Sequence, residues 1–272
     1  MNPGWYKMSN EAYHSGEGIS KSGLFTILRS PAHFKAPKKE TDALNFGAAF
    51  HPYVLEREKF DSEFIVKPEG MKFSTTDGKA WKKEAEDSKK QIITFGEFEQ
   101  IKGMSDAIWN HDAAALLSDG EAEISGFWMD PIRPHILCKL RADWINKPRQ
   151  LIVDLKSCVD ARPHAFTRDA YKFGYHMQAA WYTYGAMCIT GIEHKEFYFI
   201  AVEKEPPYGV QVYRATEEMI LEGQKACAKA LEIYDQCLTA DWWPCYEEVV
   251  LDLGLPGWVS RQNGDDLTEI FE

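Results

Sequence analysis

The stretch QLIVDLKS, residues 150–157, decides the fold. Leu151, Val153 and Leu155 alternate with Ile152, Asp154 and Lys156. A strand turns successive side chains to opposite faces, so one face here is apolar and the other sets an acid beside a lysine. A strand this apolar belongs at the centre of a sheet. A carboxylate and an ammonium on such a strand need a reason, and a face that opens into a site supplies one.

The segment just upstream sharpens this. HILCKLRADWINKPRQLIVDLKS (135–157) reads as a hairpin turning through NKPR. With the turn centred between Pro148 and Arg149, residue 143 lies opposite residue 154, where paired Cβ atoms are ~4.5–5.5 Å apart. Lys139, Arg141 and Asp143 share one face by the period of two, and Asp154 and Lys156 share the face that meets it. Two carboxylates and three cations are then expected on one patch. The opposite face, Ile136, Cys138, Leu140 and Ala142 with Leu151, Val153 and Leu155, is expected to anchor the hairpin in the core. Two carboxylates on rigid strands suit a hard divalent cation such as Mg²⁺. Such an ion activates a water and stabilises charge on a phosphoryl oxygen, and a lysine beside it orients that water or stabilises the charge that develops. This is the chemistry of phosphodiester hydrolysis. A surface ion-pair ladder would use the same residues, and D-x-K alone recurs by chance.

Outward from the hairpin, AEISGFWMD (122–130), HKEFYFIAVEK (194–204) and GVQVYRA (209–215) alternate as further strands, the last two around an EPPY turn. One long helix is expected from about 162 to 188, and TEEMILEGQKACAKALEIYDQCL (216–238) is strongly helical in period. Within the first of these, Tyr171, Tyr175, Gln178 and Tyr182 fall at i, i+4, i+7 and i+11 and line one face. Tyrosines so spaced suit a core, but a glutamine there needs hydrogen-bond partners. Residues 1 to about 115 read as mostly helical. ISKSGLFTILRSPAHF (19–34) is capped near Ser20 and stops before Pro31. ALNFGAAFHPYVLER (43–57) carries His51, with Pro52 expected to kink it or start it afresh. Segment 77–117 reads as one or two amphipathic helices. The expected organisation is a single α/β domain over 1–272, with a helical portion (1–120) carrying His51 and a catalytic core at 121–250. The tail after DWWP (241–244) reads as irregular.

Composition limits the alternatives. Of 272 residues, 44% are hydrophobic and 27% charged, as in ordinary globular proteins. No apolar run approaches the ~20 residues of a membrane helix, and the polar N-terminus has no signal core, so a cytoplasmic protein without membrane contact is expected. Six cysteines without a CxxC pair argue against a zinc ribbon or iron–sulfur site and read as small buried residues. A net charge of −11 argues against broad nucleic-acid binding, but leaves room for a local basic channel. HFKAPKK (33–39) and GKAWKK (78–83) are local basic clusters that also read as solvated lysines.

His51 in a G-A-A-F-H setting, Asp143, Asp154-x-Lys156 and Gln178-x-x-x-Tyr182 together resemble the PD-(D/E)XK nuclease superfamily, in particular its RecB-like branch. YHSGEGISKSGLFTILRSPAHFK (13–35), FGAAFHPYVLEREKFDSEFIV (46–66), CKLRADWI (138–145), VDLKS (153–157) and YHMQAAWY (175–182) resemble, in that order, the nuclease domain of the RecE or exonuclease VIII family of phages and prophages. The likeness spans roughly residues 12–245. It implies an α/β PD-(D/E)XK core with a central mixed sheet flanked by helices. It also implies a double-stranded DNA 5′→3′ exonuclease that needs Mg²⁺, with Mn²⁺ as a substitute, and acts on duplex ends. Ring assembly, a tetramer before a trimer, and a single-strand annealing protein as partner are further implications. By the resemblance, His51, Asp143, Asp154 and the Leu155 carbonyl hold metal, Lys156 serves the attacking water, and Gln178 and Tyr182 position the site or the scissile phosphate. Arg141, from its shared face, is expected to contact a phosphate.

Two residues depart from the pattern. Pro52 directly follows the histidine, and Ala142 stands where the superfamily name has proline. Glu123 on the preceding strand is either an extra carboxylate for the metal or a solvated strand-edge residue. Single-strand exonuclease action, structure-specific endonuclease action and a non-catalytic DNA-binding scaffold share the same expected fold.

Overall fold

The computed structural model describes residues 1–37 and 42–255. Its centre is a six-stranded mixed sheet in the order β1-β4-β5-β6-β7-β8. The strands are β1 (Gly4–Lys7), β4 (Glu121–Met129), β5 (Leu137–Asn146), β6 (Leu151–Cys158), β7 (Glu196–Glu203) and β8 (Val210–Arg214). Among the described strands of this sheet, only β6 and β7 pair in parallel, and the connection between them carries helices α8 (Pro163–Lys172) and α9 (Tyr175–Thr190). A two-stranded parallel ladder, β2 (Phe64–Val66) with β3 (Gln91–Ile93), lies apart from the main sheet.

The sheet is buried on both faces. Against one pack α2 (Lys21–Arg29), α8, α9 and α10 (Glu217–Ala240), through Leu24, Ile27, Phe166, Met177, Trp181 and Leu231. Against the other pack α4 (Asp42–Leu55), α5 (Arg57–Glu63), α7 (Phe95–Trp109) and a 3-10 segment (Asp112–Leu117), through Phe50, Phe60, Ile101 and Met104. Strand β7 shows the alternation directly: Phe197, Phe199 and Ala201 serve the first layer, Ile200 and Val202 the second. The short helices α1 (Asn10–Ser15), α3 (Pro31–Lys35) and α6 (Thr76–Asp87) complete the chain.

Local chemistry sets many boundaries. The Ser20 hydroxyl accepts from the Gly23 amide and opens α2. Ser30 caps α3, with Pro31 in its first turn. Thr94 and Glu97 form a reciprocal capping box at the start of α7.

Several expectations need correction. The single helix expected over 162–188 is two helices, because Gly174 takes φ +67° and breaks the run. A Cβ there would stand 2.7 Å from the Phe25 ring, so the break needs glycine twice over. Tyr171 therefore ends up on α8 and leaves the expected row with Tyr175, Gln178 and Tyr182. The N-terminal portion is mostly helical as expected, with short strands that the sequence pattern does not separate out. GWYK pairs with β4 at a sheet edge, and QII interrupts the 77–117 segment as β3. Helix α4 runs through Pro52 without ending. Cys245 is exposed and Cys188 half-buried, unlike the other four cysteines, which are buried as expected.

The anchoring face of the hairpin also divides. Cys138, Leu140 and Ala142 pack in the α9 layer, while Leu151, Val153 and Leu155 pack in the α4 layer. A strand buried on both faces gives no polar–apolar contrast by which to assign sides.

Candidate active site

The β5–β6 ladder pairs Asn146 with Leu151, Ile145 with Ile152 and Trp144 with Val153. This register puts position 143 against 154, as the turn geometry requires. The regular ladder stops there. Asp143 Oδ2 instead accepts the Leu155 amide at 2.8 Å, so a side chain takes the place of a strand partner. The two strands part at the point where their acids stand.

Helix α4 fills the opening with His51. Its Nε2 lies 3.2 Å from Asp143 Oδ2 and 3.2 Å from the Leu155 carbonyl oxygen, and its Nδ1 lies 2.8 Å from the Gly47 carbonyl. Pro52 therefore leaves the ring aimed at the acids. Three acceptors face two ring nitrogens, which favours the doubly protonated ring. Burial opposes that charge, but Asp143, Glu123 and the Gly47 carbonyl outweigh it and raise the His51 pKa to about 10.

Asp154 lies at the bottom of the site with its side chain 2% exposed, against 27% for His51, 16% for Asp143 and 17% for Lys156. Lys156 forms an ion pair with Asp154 Oδ1, and Gln178 Nε2 donates to Oδ2. The partner that an amide in this row requires is thus the acid itself. The Tyr182 hydroxyl hydrogen-bonds Gln178 and extends the chain from the acid into α9. Burial raises the Asp154 pKa to about 6, with Asp143 adding to it and Lys156 opposing. For Asp143 burial pushes upward, yet His51, Lys156 and the Leu155 amide bring the net pKa below the usual value. Burial works against the charge on Lys156, but the two aspartates hold its pKa above the ordinary lysine value. Lys156 also sits 4.7 Å from the centre of the Tyr175 ring.

The other two expected cations are occupied elsewhere. Lys139 Nζ donates to the carbonyls of Tyr13 at 2.8 Å and Gly16 at 2.5 Å. Arg141 is buried; its Nε donates to Glu123 at 2.7 Å, and its Nη1 to Ser125 Oγ and the Met8 carbonyl, while Nη2 has no hydrogen-bond partner among the described residues. Glu123 is correspondingly not a solvated edge residue. It is buried, paired with Arg141, and held at φ +52° between the Ala122–Trp144 and Ile124–Ala142 pairs. A glutamate rarely takes that backbone conformation. Its charge reaches His51.

Sequence reasoning missed Lys21. Burial lowers its pKa to about 8, with Lys156 adding to the fall and Asp154 opposing it, so it lies within electrostatic reach of both. The ISKS segment that carries it gave a helix cap and no chemical signal.

Among the described residues, no three His, Cys, Asp or Glu side chains already stand as a metal-binding cluster. The reason is local: Asp154 turns toward Lys156 and Gln178, and His51 fills the gap beside Asp143. The donor set still fits a hard divalent ion, with two carboxylates, a carbonyl and, once binding displaces its proton, one imidazole. Asp154 Oδ1 is buried and has no hydrogen bond beside its ion pair with Lys156, which leaves acceptor capacity at the bottom of the site.

A family model described as a PDDEXK-like domain of unknown function (DUF3799) matches residues 20–250. The chain belongs to this family. No curated protein matches it. The PDDEXK-like fold is shared with a crystal structure named "Putative exonuclease" from Eubacterium rectale, at 15% identity and a TM-score of 0.60, covering 96% of this chain and 99% of that one. A phage related exonuclease from Haemophilus somnus 129PT matches at 15% identity and a TM-score of 0.38, over 86% of this chain and 100% of that one. The mixed sheet flanked by helices is thus a PDDEXK-like nuclease fold, as the motifs implied. Among the described residues no helix is long and apolar enough to cross a membrane.

Proposed function

We propose that the protein is a Mg²⁺-dependent exonuclease that degrades linear duplex DNA in the 5′→3′ direction and leaves 3′ single-stranded overhangs. The observation that carries the reading is the parting of β5 and β6 at Asp143 and Asp154, with His51, the Leu155 carbonyl and Lys156 gathered into the gap.

Asp143, Asp154, the Leu155 carbonyl and His51 would hold the ion. When bound, a divalent cation supplies a more acidic water and charge stabilisation at the phosphoryl oxygen. Lys156, kept protonated by both aspartates, orients that water and stabilises the negative charge that grows on the phosphate. Gln178 holds Asp154 from the side opposite Lys156, and Tyr182 holds Gln178. Arg141, with its free Nη2, serves the phosphate only if Glu123 releases it. The overhangs would feed phage-type recombination by strand annealing, and a homo-oligomeric ring, a tetramer before a trimer, would account for processive action.

The test is digestion of linear duplex DNA labelled at either the 5′ or the 3′ end, beside a closed circle, with Mg²⁺ or Mn²⁺. Early mononucleotide release from the 5′ label, an intact circle and an inactive Lys156→Ala variant are expected. A cut circle makes the protein an endonuclease. No digestion of any duplex with either ion removes the proposal.

A further inference from the structure

Beside the site lies a surface that the hydrolytic chemistry does not use. At the junction of α8 and α9, the Tyr171 side chain is 79% exposed and Phe173 is 46% exposed. Tyr171 stacks on His176, with ring centres 5.7 Å apart and planes 15° from parallel. Lys21 from α2 donates to the Phe173 carbonyl at 2.7 Å and so ties the junction to α2. Lys172 stands 5.2 Å from the Phe173 ring centre. The patch is next to the catalytic lysine: Phe173 packs 6.1 Å from Tyr175, whose ring lies under Lys156.

Packing accounts for part of this arrangement. Phe25 covers Gly174, and Phe173 leans on Tyr175. It does not account for an aromatic ring left four-fifths in water beside the exposed Lys172 and the half-buried Lys21, in a chain of net charge −11. Of the acids, Asp154 and Asp169 reach Tyr175, and Glu222 reaches His176. Lys21 and Lys172 are the cations that stand at the rings themselves.

We propose that Tyr171 and Phe173, flanked by Lys21 and Lys172, form a stacking platform for the bases of a single DNA strand at the mouth of the active site. Exposed rings with adjacent cations recognise unpaired bases, because every base offers a π-face and every linkage a phosphate. A duplex offers its backbone and groove edges and would leave the rings without a partner. The platform would hold the terminal nucleotides of the strand after they leave the helix, one ring away from Lys156. The proposal rests on the nuclease reading only for the purpose of the platform, not for its existence.

The experiment measures binding in EDTA, where no cleavage confuses the readout. The probe is an oligothymidylate of about a dozen nucleotides, labelled at its 3′ end, against an abasic strand of equal length. Wild type should prefer the thymidylate by about tenfold. Tyr171→Leu and Phe173→Leu should lose that preference while binding the abasic strand as before, and Tyr171→Phe should keep it. Lys172→Gln should weaken both strands equally. Equal binding of the two strands by wild type, or an unchanged preference in both leucine variants, overturns the proposal. So does a change of assembly state in Tyr171→Leu with thymidylate binding intact, which would make the patch a contact between protein chains. A base preference without duplex digestion keeps the platform and removes the exonuclease reading; digestion without a base preference does the reverse.

Discussion

The two ends of the β5–β6 hairpin differ in how they satisfy the backbone. Near the turn, Ile145 faces Ile152 in a regular ladder, and both side chains are fully buried. Two residues further on the ladder ends, and Asp143 accepts the Leu155 amide in place of a strand carbonyl. The turn end contributes burial, and each buried aliphatic side chain there is worth ~1.5–3 kcal/mol. The open end carries buried charges, whose desolvation offsets much of their mutual attraction, and under the proposed function it carries the chemistry. One hairpin thus has a stabilising end and a functional end, and substitutions can separate them.

The largest separation should come at Asp154. Asp154→Asn keeps the side-chain volume and removes one of two carboxylates. Hydrolysis should fall by about a thousandfold or more, while the cooperative unfolding transition is retained. Assay of purified variant with excess Mg²⁺, beside circular dichroism melting, reads both. Activity near the wild-type level would place the reacting site elsewhere.

The converse substitution is Ile152→Ala at the turn end. Removing a fully buried Ile side chain costs about 2–5 kcal/mol through lost burial and the cavity left behind. Denaturant melts should show that loss, while the rate per folded molecule at low temperature stays as in wild type. A rate loss out of proportion to the folded fraction would mean that the two ends are mechanically coupled.

Divalent ions sharpen the comparison further. If Asp143, Asp154, His51 and the Leu155 carbonyl hold Mg²⁺ or Mn²⁺, binding must stabilise the native state. A ligand at about ten times its Kd adds ~1.4 kcal/mol, a Tm rise of roughly 2–4 °C for a chain of this size. Asp143→Asn should abolish the rise. A rise that survives in Asp143→Asn and Asp154→Asn alike would place the ion outside the hairpin.

Legibility from sequence follows the same division. Where one feature fixed the geometry, reading succeeded: the NKPR turn sets the register, and the register sets Asp143 against Asp154. The cap at Ser20 could be read because a hydroxyl before a helical period has one common use. Reading failed where neighbours decide. Cys138 and Leu151 go to opposite layers because the central strands are apolar on both faces. Gly174 breaks a helix whose periodic pattern continues across it, and only Phe25, about 150 residues earlier in sequence, fixes how closely the chain must approach there. The use of Arg141 on Glu123 depends on an unusual backbone turn at Glu123, which composition does not signal. His51 could be named by resemblance, but its contacts with Asp143 and the Leu155 carbonyl needed distances.

The smallest expected effect lies furthest from the reacting atoms. Tyr182 reaches the site only through Gln178, and Gln178 reaches it only through Asp154. Tyr182→Phe removes a hydroxyl and leaves the ring packed against Phe197. The loss should be about one ordinary hydrogen bond, ~0.5–1.5 kcal/mol, seen as a rate reduction of no more than about tenfold with little change in melting. Gln178→Ala should cost more, because it leaves Asp154 with Lys156 as its remaining partner. That order follows from the chain of contacts: each link passes on only part of the constraint it receives. If Tyr182→Phe proves as damaging as Gln178→Ala, the hydroxyl acts on the substrate itself, and the functional end of the hairpin extends a full turn further into α9.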